Sequence, residues 1–205
     1  MTESLATDFI VLRKTPYGTS RLIVAGISPT QGQLAFITPN PLPGSKSNFP
    51  HLDLFRWVKI VYRPSTGKLQ RCQDADLIQD FSGLTKNYPS FQAACWIAQF
   101  TLANVLPETT HEHYFHALTV ALERLADSNT QPEPVLTGIA VAFLFEEGWL
   151  DGYQQSDQQM EQCKQLLLMS AGASSPKLTP QCWSQLFDWA CQLLLRAECI
   201  VPPRA

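Results

Sequence analysis

Residues 15–38 read TPYGTSRLIVAGISPTQGQLAFIT, and the fold class turns on what that stretch becomes. Two apolar runs, 21–27 and 33–37, flank a turn of Ser28, Pro29, Thr30, Gln31 and Gly32. Short apolar runs bounded by Gly and Pro read as strands, and so short a turn joins them as a hairpin. An isolated hairpin is marginal in water, so the chain has to supply more strands.

It supplies them on both sides. Strand character fills 8–14, 21–27, 33–38, 54–63 and 68–74, separated by Pro16-Tyr17-Gly18, the 29–32 turn, a long 39–50 loop and Pro64-Ser65-Thr66-Gly67. Five short strands with no helix among them predict a small antiparallel barrel, with the five-stranded OB-fold the natural candidate. An SH3-like barrel would show the same pattern.

From Tyr88 the apolar period lengthens to that of a helix. Phe91, Ala94, Cys95, Ala98, Leu102 and Val105 mark the inward face of a first helix. Phe115, Leu118, Leu122 and Leu125 mark a second, with Thr109 and Glu112 at capping-box spacing before it. A nearly apolar third helix over 135–147, opened by Pro134 and closed at Gly148, reads as the centre of a bundle. A fourth covers 157–170. The last opens at Thr179-Pro180 and turns Trp183, Leu186, Phe187, Ala190, Leu194 and Ala197 inward. The expected class is α+β, an OB-fold nucleic-acid-binding domain over 1–80 followed by a helical partner-docking domain over 81–205.

The net charge of −3 over 205 residues hides an asymmetry. Residues 1–80 carry nine Lys/Arg against six Asp/Glu, giving +3; the remainder carries six against twelve, giving −6. Halves of opposite sign suit different partners, and a polyanion would choose the first. No apolar run is long enough to cross a bilayer, and MTESLATDF lacks the basic region of a secretory signal, so the expected location is the cytoplasm, at the nucleoid.

Little in the chain points to catalysis. It has no Gly-rich phosphate loop, no GxSxG elbow and no paired-carboxylate signature. HEHYFH, residues 111–116, fails the zincin pattern because Phe115 stands where the second His is required. His113 and His116 lie one turn apart and could hold the edge of a metal, but Glu112 is assigned to a cap and Phe115 to the core. Cysteines 72, 95, 163, 182, 191 and 199 form no CxxC pair and match no zinc ribbon; in a reducing compartment they read as small buried hydrophobes. No enzyme activity and no cofactor are expected.

Residues 54–63 carry the candidate site. One face reads Leu54, Arg56, Val58, Ile60 and Tyr62, which suits a barrel interior apart from Arg56. The other reads Phe55, Trp57, Lys59, Val61 and Arg63. Rings alternating with cations suit single-stranded nucleic acid: each ring stacks a base for roughly 1–3 kcal/mol, and cations answer the phosphates. Alternatively, Phe55 and Trp57 pack against the helices and the cations are ordinary surface charges. The candidate DNA contacts are Arg13, Lys14, Arg21, Lys46, Arg56, Trp57, Lys59 and Arg63.

The order of features resembles the RecO family of bacterial DNA-repair and recombination mediators. The likeness rests on FIVLRKTPYGTSRLIVAGISPTQGQLAFI, residues 9–37, with a strand ending in Val11-Leu12-Arg13, then Tyr17-Gly18, an apolar strand and a turn closing on Gly32. Lys46-Ser47 and an aromatic-containing strand follow. The resemblance implies an OB-fold joined to a helical domain that binds single- and double-stranded DNA, anneals complementary strands, and works with RecR and the single-strand-binding protein SSB to load RecA. It would carry over Arg13 and Lys46 as DNA contacts and Tyr17, Gly18 and Gly32 as turn-formers. This chain has Thr19 where many members have Glu, and Pro39-Asn40-Pro41-Leu42-Pro43-Gly44 in place of a basic run. Cys163 stands alone where a four-cysteine cluster would begin, so a zinc-free variant is implied. A reading of another class keeps the same architecture but sets the basic face against an acidic protein tail.

Overall fold

A computed structural model of the chain describes residues 4–39, 49, 51–127, 130–150 and 157–204. Among the described residues, strands β1 (Leu5–Tyr17), β2 (Arg21–Ser28), β3 (Gly32–Pro39), β4 (Arg56–Arg63) and β5 (Gln70–Asp80) close into a barrel in the order β1-β2-β3-β5-β4. Neighbours are antiparallel except β3 and β5, which pair in parallel. β4 returns to lie beside β1, so β4-β1-β2-β3 is a Greek key.

Alternation fills the interior. Phe9 meets Phe36 edge-on with centroids 5.0 Å apart, Phe36 meets Tyr62 at 5.4 Å, and Val11, Val24, Val58 and Ile60 close the cluster. Burial of such side chains contributes roughly 1.5–3 kcal/mol each. Thr7 and Ser28 satisfy each other inside the wall through hydroxyls 2.6 Å apart. At Gly26 the strands cross too closely for any side chain: a Cβ there would lie 1.9 Å from the Ile10 carbonyl oxygen.

β1 runs from Leu5 to Tyr17, past both ends of its expected 8–14, and two further strand boundaries differ from expectation for physical reasons. β4 begins at Arg56 because Phe55 takes φ +56° and donates its N–H to the Val11 carbonyl at 2.9 Å. Phe55 is buried, so it offers no exposed ring beside Trp57. β5 runs on to Asp80, well past its expected end at Asp74, since Asp-rich sequence has low strand propensity and conceals a half-exposed strand.

The chain divides into two compact units, Met1–Phe81 with Val105–His111, and Ser82–Asn104 with Glu112–Ala205. The first carries nine Lys/Arg against seven Asp/Glu (+2), the second six against eleven (−5). Residues 105–111 add to the barrel unit by backbone pairing: Gln33 N–H donates to Leu106 O (3.2 Å), Glu108 N–H to Gln31 O (2.9 Å) and His111 N–H to Pro29 O (2.8 Å). Gly32, at φ +59°, makes room for this strap, since a Cβ would lie 2.2 Å from Leu106 O. Thr109 donates its hydroxyl to Leu106 O at 2.6 Å and meets His111 Nε2 at 2.8 Å. The expected capping box is therefore not formed: Thr109 secures the strap, and the following helix starts at Glu112.

In the helical unit a 3-10 turn, Ser82–Lys86, precedes α1 (Tyr88–Asn104), α2 (Glu112–Ala126), α3 (Pro132–Glu146), α4 (Asp157–Ser170) and α5 (Pro180–Arg196). α3 is buried without a break from Pro134 to Leu144 and forms the bundle's centre. α1 buries Ala94 and Ala98 as expected, and Val105 just beyond it, but its buried face is turned part-way from the expected one. Ala93, Trp96, Ile97, Phe100 and Thr101 are buried, while Phe91, Cys95 and Leu102 are half-buried. Trp96 stacks on Phe100 at 5.3 Å, and Thr101 meets the fully buried Tyr114 hydroxyl at 2.8 Å; those two contacts set the rotation. Thr179 caps α5 by accepting from Cys182 N–H at 3.3 Å. Leu193 is buried there, whereas Leu186 and Ala197 are half-buried.

His113 Nδ1 lies 3.2 Å from Glu146 Oε2, and His116 Nε2 is 3.4 Å from Ala171 O. Among the described residues no three His, Cys, Asp or Glu side chains gather as metal donors, and no helix is long and apolar enough to cross a membrane.

Candidate nucleic-acid interface

The outer wall is assembled by strand register. Ile10 pairs with Ile27 and Arg13 with Ala25, and residues two apart on β2 share a face. Ile10 and Arg13 therefore share the sheet face opposite Phe9 and Val11 although they are three apart on β1, with Ile10 buried and Arg13 exposed. The bulge between Val11 and Arg13 is the reason. Without it, Arg13 would follow Phe9 and Val11 into the core.

Beyond the bulge a row can be followed around the barrel by direct pairing: Thr15 to Ile23, Ile23 to Ile37, Ile37 to Arg71, and Arg71 to Arg63. Arg13–Ala25–Ala35 runs on one side of it and Tyr17–Arg21–Pro39 on the other. Arg13, Arg21, Arg63 and Arg71 are exposed, Tyr17 is 51% exposed, and Ile23 and Ile37 are half-buried between them. Exposed Lys68 joins from the β4–β5 turn, which Ser65 stiffens by donating from its hydroxyl to Leu69 O and from its N–H to Gln70 Oε1, both at 2.7 Å. None of these five cations makes an ion pair among the described residues.

The rest of the wall has the opposite sign. Lys59 sits in register between Asp8 on β1 and Asp76 on β5, and Val61 lies beside Asp74. Lys59 thus has a carboxylate-bearing residue opposite it on each side, although among the described residues it forms no ion pair with either. Trp57, paired with Ile10 and Gln79, is half-buried with its indole nitrogen out of solvent. The wall over β4 on which the sequence placed Trp57, Lys59 and Arg63 is thus divided, and only Arg63 belongs to the basic part.

Lys14 and Arg56 serve the barrel instead. Lys14 pairs with Val24, on the face opposite Arg13, and donates to Asp53 Oδ1 at 2.7 Å; Arg56 Nη2 donates to Asp80 Oδ2 at 3.2 Å. Partial burial raises the Asp53 pKa, but hydrogen bonds from Lys14 and Leu54 N–H, with the charges of Lys14 and Arg56, outweigh it and hold the carboxyl below its ordinary value. Lys46 lies outside the described residues.

Of the eight expected contacts, Arg13, Arg21 and Arg63 therefore lie on or beside this row. The fold adds Arg71, Lys68, Tyr17, Ile23 and Ile37, which sequence patterning did not assign to the site. The surface suits a flexible polyanion: cations spaced over four strands and the β4–β5 turn, one exposed ring and an apolar strip. Burial and then Asp74 push the Cys72 thiol up to about 12, the reverse of what a reactive thiolate needs.

No family model and no curated protein matches the sequence.

Proposed function

We propose that the barrel is an OB-fold that binds single-stranded DNA on its β2–β3 face, in a non-enzymatic recombination mediator of the RecO kind. The observation that carries this is the outward row ending in Arg71 and Arg63, with Arg13, Tyr17 and Arg21 beside it. OB-folds engage oligonucleotides with the β2–β3 face and the β1–β2 and β4–β5 loops, and Arg13, Arg21, Arg63, Lys68 and Arg71 lie on or beside those three features. Phosphates displace counterions at the arginines, while bases stack on Tyr17 and lie against Ile23 and Ile37. Bases splayed in this way remain available to a complementary strand, which supports annealing. RecA loading would proceed with RecR and SSB at the helical unit.

A second reading has a specific observation in its favour. Ile23 and Ile37 form an apolar strip framed by arginines, which also suits an acidic protein tail with an apolar side chain. Competition separates the two. A labelled oligo(dT) is titrated with a peptide of aspartates ending in Phe, against wild type and an Arg63→Glu, Arg71→Glu double variant. DNA binding predicts that oligo(dT) binds, resists the peptide and is lost in the double variant. Peptide binding without oligonucleotide binding would replace the mediator with an adaptor.

A further inference from the structure

Beyond α5 the chain reads Ile200-Val201-Pro202-Pro203-Arg204 and lies along α1. Each proline fixes its own φ and keeps the residue before it extended, so this run cannot continue the helix. An extended run has no internal hydrogen bonds, and its backbone groups must be answered from outside. α1 answers them. Asn104 accepts the Ile200 N–H at Oδ1 (2.7 Å) and donates from Nδ2 to the Ile200 carbonyl (2.9 Å), while the Phe100 carbonyl holds the same amide at 2.8 Å. Trp96 donates its indole N–H to Pro202 O at 3.0 Å, and its ring meets Phe187 edge-on at 5.3 Å.

Arg204 completes the contact. Its guanidinium lies over the Phe187 ring at 5.4 Å and donates to Ser184 Oγ at 3.0 Å and Asp188 Oδ1 at 3.1 Å. Glu133 Oε1 is 3.8 Å away, so carboxylates from α5 and α3 converge on one cation. An aromatic-lined groove that bonds carbonyls from an indole suits a proline-rich segment, and the acidic corner suits an arginine within it. The grip is on main chain, rings and one charge, so another segment of the same chemistry can take it. A cavity of about 130 Å³ opens beside Arg204, lined also by Pro89, Trp96, Pro132, Leu136 and Phe187. Of residues 200–204, only Arg204 lines it.

We propose that this face of the helical unit receives an extended, proline-rich, arginine-bearing segment of a partner protein, and that residues 200–204 occupy the groove in cis until that segment displaces them. The partner's prolines lie against Trp96 and Phe187, and its arginine meets Asp188 and Glu133. A large apolar side chain after the arginine enters the cavity. Tethering gives the cis segment an effective concentration in the mM range, and that extra side chain is what lets a partner compete. The proposal uses no residue of the barrel and stands apart from the DNA reading.

The test is a chemical-shift titration of the isotope-labelled full chain with the capped peptides Val-Pro-Pro-Arg-Leu and Val-Pro-Pro-Glu-Leu. Wild type is compared with a Pro202→Gly, Arg204→Ala variant, in which the cis segment is loosened. The arginine peptide is expected to shift the Trp96 indole and the amides of 96–104. It should bind the loosened variant on the order of tenfold more tightly than wild type, equivalent to about 1.4 kcal/mol. The glutamate peptide should bind at least about tenfold more weakly. Glu133→Gln with Asp188→Asn, at side chains 41% and 61% exposed, should erase that preference in a folded protein. Equal affinity for wild type and the loosened variant, no preference for arginine, or an unmoved Trp96 indole would overturn the proposal. Dimerisation of the wild-type chain by exchange of residues 200–204 would give the groove to a second copy and overturn it too.

Discussion

Arg63 and Arg71 stand directly opposite each other across the β4–β5 ladder, and Ile37 pairs with Arg71 from the other side. Two like charges opposed in a sheet repel, and cross-strand pairs are worth about 0.2–1 kcal/mol. A polyanion would relieve that repulsion. Arg71→Thr is therefore expected to raise unfolding free energy by about 0.2–1 kcal/mol while weakening oligonucleotide binding. Urea denaturation and fluorescence anisotropy on the same variant check both directions.

Lys59 gives the contrasting case. With Asp8 and Asp76 in register on either side, it stands among carboxylates that repel a phosphate. Lys59→Gln should leave oligo(dT) affinity within about twofold of wild type, or about 0.4 kcal/mol. A loss comparable with that of Arg71→Thr would return the site to the β4 wall.

Three glycines should respond in graded fashion. Gly26→Ala forces a Cβ to 1.9 Å from Ile10 O and Gly32→Ala to 2.2 Å from Leu106 O, both against backbone. Each should cost about 3 kcal/mol or more. Gly18 has φ +62° but open space around it, so Gly18→Ala should cost only about 1 kcal/mol. Thermal melts that fail to separate Gly18→Ala from the other two would contradict the close backbone crossings.

The Lys14–Asp53 pair gives stability a sign with pH. Asp53 has a lowered pKa when folded, so its contribution is complete above the unfolded value of about 3.9 and fades as pH falls through the folded value. Both side chains are partly exposed, at 31% and 56%, so solvent limits the pair to about 1 kcal/mol or less. Asp53→Asn should lower stability at neutral pH and converge with wild type in acid. Parallel curves for the two proteins down to low pH would remove Asp53 from that role.

The barrel and the helices that follow it were legible because period and turn chemistry are local. Val24 and Phe36 alternate with neighbours on the opposite face, Thr179-Pro180 announces a helix start, and Gly148 announces a stop. What escaped depends on pairing between distant segments. The bulge that sends Arg13 outward requires β1 and β2 to cross at Gly26, which no run of residues in β1 reveals. Arg71 joins the site only because β5 pairs in parallel with β3. Thr109 has the spacing of a cap but answers Leu106 and His111, since the strap's backbone pairing with residues 29–33 decides where α2 begins.

The central claim concerns charge along the outer row that ends in Arg71 and Arg63, and salt dependence tests it most directly. Oligo(dT) affinity is measured from low to moderate ionic strength for wild type and for Arg63→Gln, Arg71→Gln. With about four phosphates neutralised, log K should fall against log salt with a slope of roughly −3, flattening by about 1.4 in the double variant. Affinity that ignores salt, or a double variant with the wild-type slope, would contradict the account.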